Sequence, residues 1–109
     1  MKEIIFNRKH YKSYKDFYND LCNKLNKDRF IDWKNDYENL FHSADLLNEF
    51  LWYCHNDSIN YIFVNFDVPK IKLQKNYDDY EYNLVIEVFE DFVKQYPNNK
   101  LEFRMDDDN

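Results

Sequence analysis

Glycine is absent from this chain of 109 residues. A Walker-type phosphate loop, a dinucleotide-binding turn and a nucleophile elbow all need glycine, either for close backbone approach or for a positive φ. The sequence therefore excludes these three motifs. Turns and helix ends must use other residues, and asparagine is the residue other than glycine that best tolerates the left-handed region. We therefore predict a positive φ at Asn26, Asn56 or Asn98.

Long hydrophobic runs are also absent, and the longest, around Tyr61–Phe66, has the length of a strand. The first residues, MKEIIFNRKH, lack the apolar region of a signal peptide, so we expect a cytoplasmic protein. Cys22 and Cys54 are the only cysteines and form no C-x-x-C pair. In a cytoplasmic protein both are expected to be reduced thiols.

Basic residues are missing from the middle of the chain. Residues 35–69 contain no lysine or arginine and six acidic residues, whereas residues 1–34 carry a net charge of +4 and residues 70–109 a net charge of −4. The whole chain has a formal charge of −6, and a nucleic-acid-binding protein would carry the opposite sign. The acidic middle segment favours a basic protein partner.

Hydrophobic periodicity predicts one α/β domain over residues 1–109. The predicted strands are Lys2–Asn7, Tyr61–Phe66 and Leu101–Met105. The predicted helices run from Ser13 to about Asn26, over 37–54 and from about Asp79 to Gln95, with a loop over 70–77. Because long helical crossovers connect parallel strands, we expect a small three-stranded parallel sheet packed by three or four helices. In the last predicted helix, the residues expected to face water are Asn83, Glu87, Asp91 and Lys94.

The predicted helix over 37–54 carries two narrow stripes. At 100° per residue, the apolar stripe consists of Leu40, Ala44, Leu47 and Leu51. The stripe on the opposite side consists of Glu38, His42, Asp45 and Glu49. Trp52 flanks the acidic stripe, so we expect it to be partly exposed. Together with Trp33 and Tyr37, it is a candidate aromatic anchor for a partner.

No motif supports catalysis. The sequence has no H-E-x-x-H, no cysteine and histidine cluster with zinc spacing, and no serine in a triad context. His42, Asp45 and Glu49 are the best metal candidates, but the polar face of any amphipathic helix gives the same pattern. We therefore expect no enzyme, no cofactor and no metal. A metal-dependent enzyme that uses these three residues is the alternative.

The two ends of the chain resemble a known family. Ile4–Asn7, followed by Ser13, Asp16, Phe17, Leu21 and Leu25, is similar in spacing to the first strand and helix of the barstar family of bacterial ribonuclease inhibitors. Val85–Phe89 and Leu101–Phe103 are similar to the last helix and strand of that family. Tyr37–Leu40 stands where the family has a Tyr-Gly-x-Asn-Leu-Asp-like run; here the glycine is missing and Phe41 replaces the first helix acid. Asp45 falls where a second, target-facing acid is expected.

The resemblance implies an inhibitor that places carboxylates of a rigid helix in the basic cleft of a ribonuclease. We therefore expect an immunity protein that neutralises a basic nuclease toxin, is monomeric when free and binds neither nucleic acid nor membrane. The expected partner-binding residues are Trp33, Tyr37, Glu38, Asn39, His42, Asp45, Glu49 and Trp52. If the second helix is not the interface, Asp78–Glu81 and the helix face around Glu87 take its place. An acidic binding module with a target other than a nuclease is a further alternative.

Overall fold

Three strands form one parallel sheet in the order β1–β2–β3. The computed structural model describes residues 1–25, 47–48, 51–52 and 54–106. The elements, in chain order, are β1 (Lys2–Asn7), a 3₁₀ turn (Arg8–His10), α1 (Tyr14–Leu25), β2 (Ile59–Val64), α2 (Val68–Lys72), α3 (Tyr77–Gln95) and β3 (Lys100–Arg104). Residues 47–48 and 51–52 are also α-helical. The predicted small α/β fold with a three-stranded parallel sheet is therefore confirmed.

The core lies on one face of the sheet. In register, Ile4 aligns with Tyr61 and Phe6 with Phe63, and these four residues are almost fully buried. Phe17 of α1 and Phe89 of α3 both contact the Phe6 and Phe63 rings, with ring centroids 5.1–6.3 Å apart. Edge-to-face contacts of this kind stabilise by about 0.5–1.5 kcal/mol beyond the area they bury. The abundant aromatic residues thus build a core that locks both long helices onto the sheet.

The opposite face of the sheet is less covered. Ile5 on β1 is 43% exposed, although Ile62 beside it on the central strand is fully buried. Ile62 does not belong to the main core cluster, which draws on the other face of the sheet. Strand alternation sends Ile4 and Ile5 to opposite faces, so the helices of the described residues pack on only one of them.

The end of β2 differs from its predicted position. The strand is Ile59–Val64 and not Tyr61–Phe66, because Asn65 has a φ of 65° and turns the chain away from the sheet. The Asn65 backbone N–H donates to the carbonyl oxygen of Arg104 at 2.8 Å, and its side-chain Nδ2 donates to Asn7 Oδ1 at 3.0 Å. Asn65 therefore ties together the carboxyl ends of all three strands.

The predicted loop over 70–77 was wrong in its first part. Residues Val68–Lys72 form α2, because Asp67 caps the first turn through a hydrogen bond from the Lys70 N–H and Pro69 fits the first turn of a helix. The next helix begins at Tyr77, two residues earlier than predicted, because Asn76 accepts a hydrogen bond from the Asp79 N–H at 2.8 Å. Local capping thus decides both boundaries.

Asn83 is not a surface residue, as the helical pattern had predicted, but is 4% exposed. Its Nδ2 donates to Glu87 Oε1 at 3.2 Å on the next turn of α3. Glu87 and Asp91 are exposed as expected, and so is Lys94. The buried side of α3 is therefore wider than its apolar residues alone indicate.

Three residues of the described chain have a positive φ: Ser58, Asn65 and Gln74. The prediction was therefore wrong for Asn56 and Asn98, and Asn26 lies outside the described residues. Asn98 instead uses its side chain, whose Nδ2 donates to the His55 carbonyl oxygen at 2.8 Å. In the absence of glycine, these described positions place an asparagine, a serine and a glutamine in the left-handed region, which costs a residue with a Cβ about 1–2 kcal/mol.

Cys22 and Cys54 are both buried and form no disulfide, as predicted. Within the described ranges, no helix has the length and the apolar character needed to cross a membrane.

Candidate partner-binding surface

Most residues of the predicted partner-binding set fall outside the described parts of the chain. Those residues are Trp33, Tyr37, Glu38, Asn39, His42, Asp45 and Glu49. Their role stays a prediction, and so does the alternative metal site at His42, Asp45 and Glu49. Trp52 is the one member of the set that the structure places.

Trp52 lies at the surface of the helical segment that contains residues 51–52. It is 50% exposed, whereas Leu51 beside it is fully buried and Leu47 is 3% exposed. Leu47 and Leu51 belong to the core, so the predicted apolar stripe is confirmed for these two members. The predicted partial exposure of Trp52 is confirmed as well. The segment therefore turns one side to the core and Trp52 to the solvent.

Trp52 is held by a stack of rings. The His55 ring lies parallel to the indole, with centroids 5.2 Å and planes 19° apart. The ring of Tyr96, at the end of α3, contacts the rings of His55 and Phe92, with centroids 4.9 Å and 5.2 Å apart. His55 Nδ1 lies 2.5 Å from the Trp52 carbonyl oxygen. These ring contacts restrict the conformations of the exposed indole before binding, so it loses less conformational entropy when it binds.

Two asparagines fix the loop beneath this stack. Asn98 and Asn99 both donate from Nδ2 to the His55 carbonyl oxygen, each at 2.8 Å. Asn99 is 2% exposed, and its Oδ1 accepts a hydrogen bond from the Ile59 N–H at 3.0 Å. Sequence reasoning gave neither residue this role, because a Pro-Asn-Asn run before a strand indicates a turn and does not reveal which distant loop it binds.

Cys54, which lies two residues after Trp52, is a poor nucleophile. Burial raises the pKa of the Cys54 thiol, so it is protonated at neutral pH, and its Sγ lies 3.5 Å from the Tyr61 hydroxyl and 3.3 Å from the Leu51 carbonyl oxygen. A rigid, half-exposed tryptophan is typical of the residues that dominate binding energy at protein interfaces. Asp57, five residues after Trp52, is exposed and adds negative charge to the same loop.

The second predicted interface, Asp78–Glu81, differs from its description in the sequence. These residues lie in the first turns of α3, and one of the acids is buried. Glu81 is 5% exposed, so it is not available to a partner. Tyr77 and Tyr80 are 66% and 45% exposed and lie on the same turns, and the sequence pattern did not single them out. A hydrogen bond from the Tyr77 hydroxyl to Glu81 raises the pKa of Tyr77.

An open polar groove of about 350 Å³ lies along α1. Its principal carboxylate, Asp20, accepts a hydrogen bond from the Tyr11 hydroxyl at 2.5 Å and pairs with Lys24 at 3.0 Å. Asp16 accepts a hydrogen bond from the Lys12 N–H at 2.9 Å. Both carboxylates are therefore engaged within the chain, and among the described residues no cluster of histidine, cysteine and acidic side chains could hold a metal ion.

Comparison of this chain with protein-family models, with curated proteins and with solved structures found no match.

Proposed function

We propose that this chain is a barstar-like inhibitor that binds a basic nuclease and blocks its active site. Three properties support the proposal: the small α/β fold with a three-stranded parallel sheet, the acidic composition with a middle segment that lacks basic residues, and an exposed tryptophan within that segment. A nuclease cleft is basic because it holds phosphates, so carboxylates can occupy the phosphate positions.

The exposure of Trp52 carries the proposal. A tryptophan that is 50% exposed is a candidate binding residue, because tryptophan is enriched among the side chains that dominate binding energy at protein interfaces. His55 stacks against the indole, with ring centroids 5.2 Å apart, and holds it at the surface. In this proposal the indole packs against the rim of the nuclease cleft, and Glu38, Asp45 and Glu49 supply the carboxylates that enter it.

We expect a nuclease reading frame directly beside the gene for this chain, and the test uses its product. The purified nuclease is titrated with the chain while RNA cleavage is followed, and we expect complete inhibition at a 1:1 ratio. Replacement of Trp52 by alanine should weaken binding by about 2 kcal/mol, or roughly thirtyfold. Asp45→Ala and Glu49→Ala should each cost on the order of 2–5 kcal/mol of affinity while leaving stability within about 0.5 kcal/mol.

Tyr80→Ala is the matched control, because Tyr80 is a similarly exposed aromatic residue on the competing α3 surface. Thermal unfolding of each variant separates loss of binding from loss of fold. If Tyr80→Ala weakens inhibition and Trp52→Ala, Asp45→Ala and Glu49→Ala do not, the interface lies on α3. Unchanged RNA cleavage at a molar excess of the folded chain would reject the proposed function.

A further inference from the structure

The two edges of the sheet differ in how they are protected. At the β1 edge, the Lys24 ammonium of α1 donates to the Ile5 carbonyl oxygen at 2.6 Å and lies 5.6 Å from the centroid of the Phe6 ring. A lysine placed on an edge strand in this way prevents another strand from pairing there. The β1 edge is therefore closed to a further strand.

Within the described ranges, no lysine is placed over the β3 edge in this way. The Arg104 carbonyl oxygen accepts from the Asn65 N–H, and the Asp106 N–H donates to Asn65 Oδ1, so residues 104 and 106 turn these groups toward β2. Since backbone polar groups alternate in direction along a strand, Leu101 and Phe103 point theirs away from the sheet. No described side chain or loop bonds to these outward groups of Phe103. Phe103 is 38% exposed and Met105 is 62% exposed.

The sequence of this edge is complementary to itself when it is read in the opposite direction. The segment from 100 to 106 reads KLEFRMD. In an antiparallel pair centred on Phe103, Lys100 lies opposite Asp106, Leu101 opposite Met105 and Glu102 opposite Arg104. Every charged residue then faces an opposite charge and every apolar residue faces an apolar one.

We propose that two copies of this chain pair through their β3 strands, antiparallel and centred on Phe103, to form a continuous six-stranded sheet. The two Phe103 residues form a hydrogen-bonded pair on the two-fold axis, because their N–H and C=O groups are the outward ones. Glu102 and Arg104 already form an ion pair within one chain. In the dimer, two such pairs make a cluster of four alternating charges.

The closed β1 edge limits the assembly to a dimer. Since Lys24 occupies the outer edge of each half, the six-stranded sheet has no free template for further growth. The interface is a single strand pair with the Phe103 side chains, smaller than a standard interface, so we expect micromolar or weaker affinity. This inference replaces the expectation of a monomer and does not depend on what the chain inhibits.

Sedimentation of the full chain from micromolar to millimolar concentration tests the dimer. In Glu102→Arg, the new arginine of each copy lies opposite Arg104 of the other copy, so two positive charges face each other at two symmetric points. In Arg104→Glu, two negative charges face each other at the same points. Each substitution should weaken dimerisation by at least about tenfold. The double variant Glu102→Arg with Arg104→Glu restores both opposite-charge pairs and should dimerise like the original chain. A mixture of the two single variants should form heterodimers.

Glu90→Arg is the matched control, because it makes the same charge change and breaks another exposed ion pair, Lys72–Glu90 at 3.3 Å, away from β3. It should leave dimerisation unchanged. Sedimentation as a monomer up to millimolar concentration would overturn the proposal. So would single variants that dimerise as strongly as the original chain, or a double variant that stays monomeric while its thermal unfolding is unaltered.

Discussion

Buried tyrosine hydroxyls lower the stability of the aromatic core. The hydroxyl groups of Tyr14 and Tyr82 are buried, and neither has a hydrogen-bond partner in the described part of the chain. A buried hydroxyl that lacks a partner costs about 1–3 kcal/mol relative to its hydrated state. The rings themselves pack well, since Tyr82 contacts Tyr14 at 5.3 Å and Phe17 at 5.2 Å.

Tyr82→Phe is therefore expected to stabilise the fold by about 1 kcal/mol, because it keeps the ring contacts and removes the unsatisfied hydroxyl. The measurement is the free energy of unfolding in urea. Tyr11→Phe is the control, since the Tyr11 hydroxyl donates to Asp20 at 2.5 Å and its loss should destabilise by about 1–2 kcal/mol. Equal destabilisation by both substitutions would contradict this account of Tyr82.

Tyr82 also makes the free energy of unfolding depend on pH in the alkaline range. Burial raises the pKa of Tyr82 to about 12, although the Arg8 guanidinium, 4.9 Å from the ring centroid, opposes the shift. An unfolded tyrosine ionises near pH 10. Its contribution to stability is therefore complete below about pH 10 and is lost as the pH rises from there through the pKa of the folded state.

We expect the free energy of unfolding to fall between about pH 10 and pH 12, and to fall less steeply in Tyr82→Phe. Burial raises the pKa values of Tyr11, Tyr14 and Tyr61 as well, so the substitution should reduce the loss and not abolish it. Urea titrations at a series of pH values measure both slopes. A stability that does not change across this range would show that these hydroxyls are hydrated.

At the scale of elements, Asn99 joins segments that are far apart in the chain. It binds the start of β2 through the Ile59 N–H, the loop after Trp52 through the His55 carbonyl oxygen, and the end of α3 through the Tyr96 carbonyl oxygen at 3.4 Å. Because Asn99 is buried, removal of its side chain leaves the Ile59 N–H without this partner, whereas the His55 carbonyl oxygen keeps the hydrogen bond from Asn98.

Asn99→Ala should therefore destabilise the fold by about 2–3 kcal/mol. Asn98→Ala removes a hydrogen bond of the same length to the same His55 oxygen, but Asn98 is exposed, so its loss should cost less than about 1 kcal/mol. Urea unfolding of the two adjacent variants gives the comparison directly. The account is wrong if the two substitutions have equal effects.

Sequence patterns predicted the elements whose signals are local. The bounds of β1 were exact and those of α1 and β3 were close, because apolar alternation and the 3.6-residue period both come from short stretches of chain. The end of β2 was misplaced by two residues, since Phe66 is buried like a strand residue but follows the turn at Asn65. That turn depends on Arg104, which lies far away in the sequence.

At the candidate surface, too, the sequence predicted local features and missed tertiary ones. The exposure of Trp52 follows from its angle to Leu51 around one helix, and the sequence predicted it. The stacking of His55 between Trp52 and Tyr96 joins residues 52 and 96, and no periodicity connects them. The burial of Glu81 on an otherwise acidic turn is also a tertiary effect, which overrides the pattern of its own helix.

For the whole molecule, charge distribution would govern how fast the proposed basic nuclease associates with the chain. The chain carries a formal charge of −6, and the segment 35–69 contributes acidic residues alone. Long-range attraction to a basic protein accelerates encounter and is screened by salt, whereas the short-range contacts of the bound complex determine how fast it dissociates. Exposed acids near Trp52 but outside the packed contact should therefore act on the association rate.

Asp57 fits this description, because it is exposed and follows Trp52 in the loop that precedes β2. Asp57→Asn is expected to lower the association rate with the basic partner severalfold at low ionic strength and to change the dissociation rate little. The difference from the original chain should disappear as the salt concentration rises above about 0.15 M, where the Debye length shortens to about 8 Å. Stopped-flow association at several ionic strengths measures both rates.

Asp16→Asn separates local steering from net charge. Asp16 is also exposed and its replacement changes the net charge by the same amount, but it lies in the first turn of α1, next to the carboxyl end of β1. Asp57 precedes the amino end of β2, which lies at the opposite end of the parallel strands. If the partner docks beside Trp52, Asp57→Asn slows association more than Asp16→Asn does. Equal slowing by both variants would mean that net charge alone sets the association rate. A larger effect of Asp16→Asn would place the docking surface at the end of the sheet where the carboxyl ends of the strands lie.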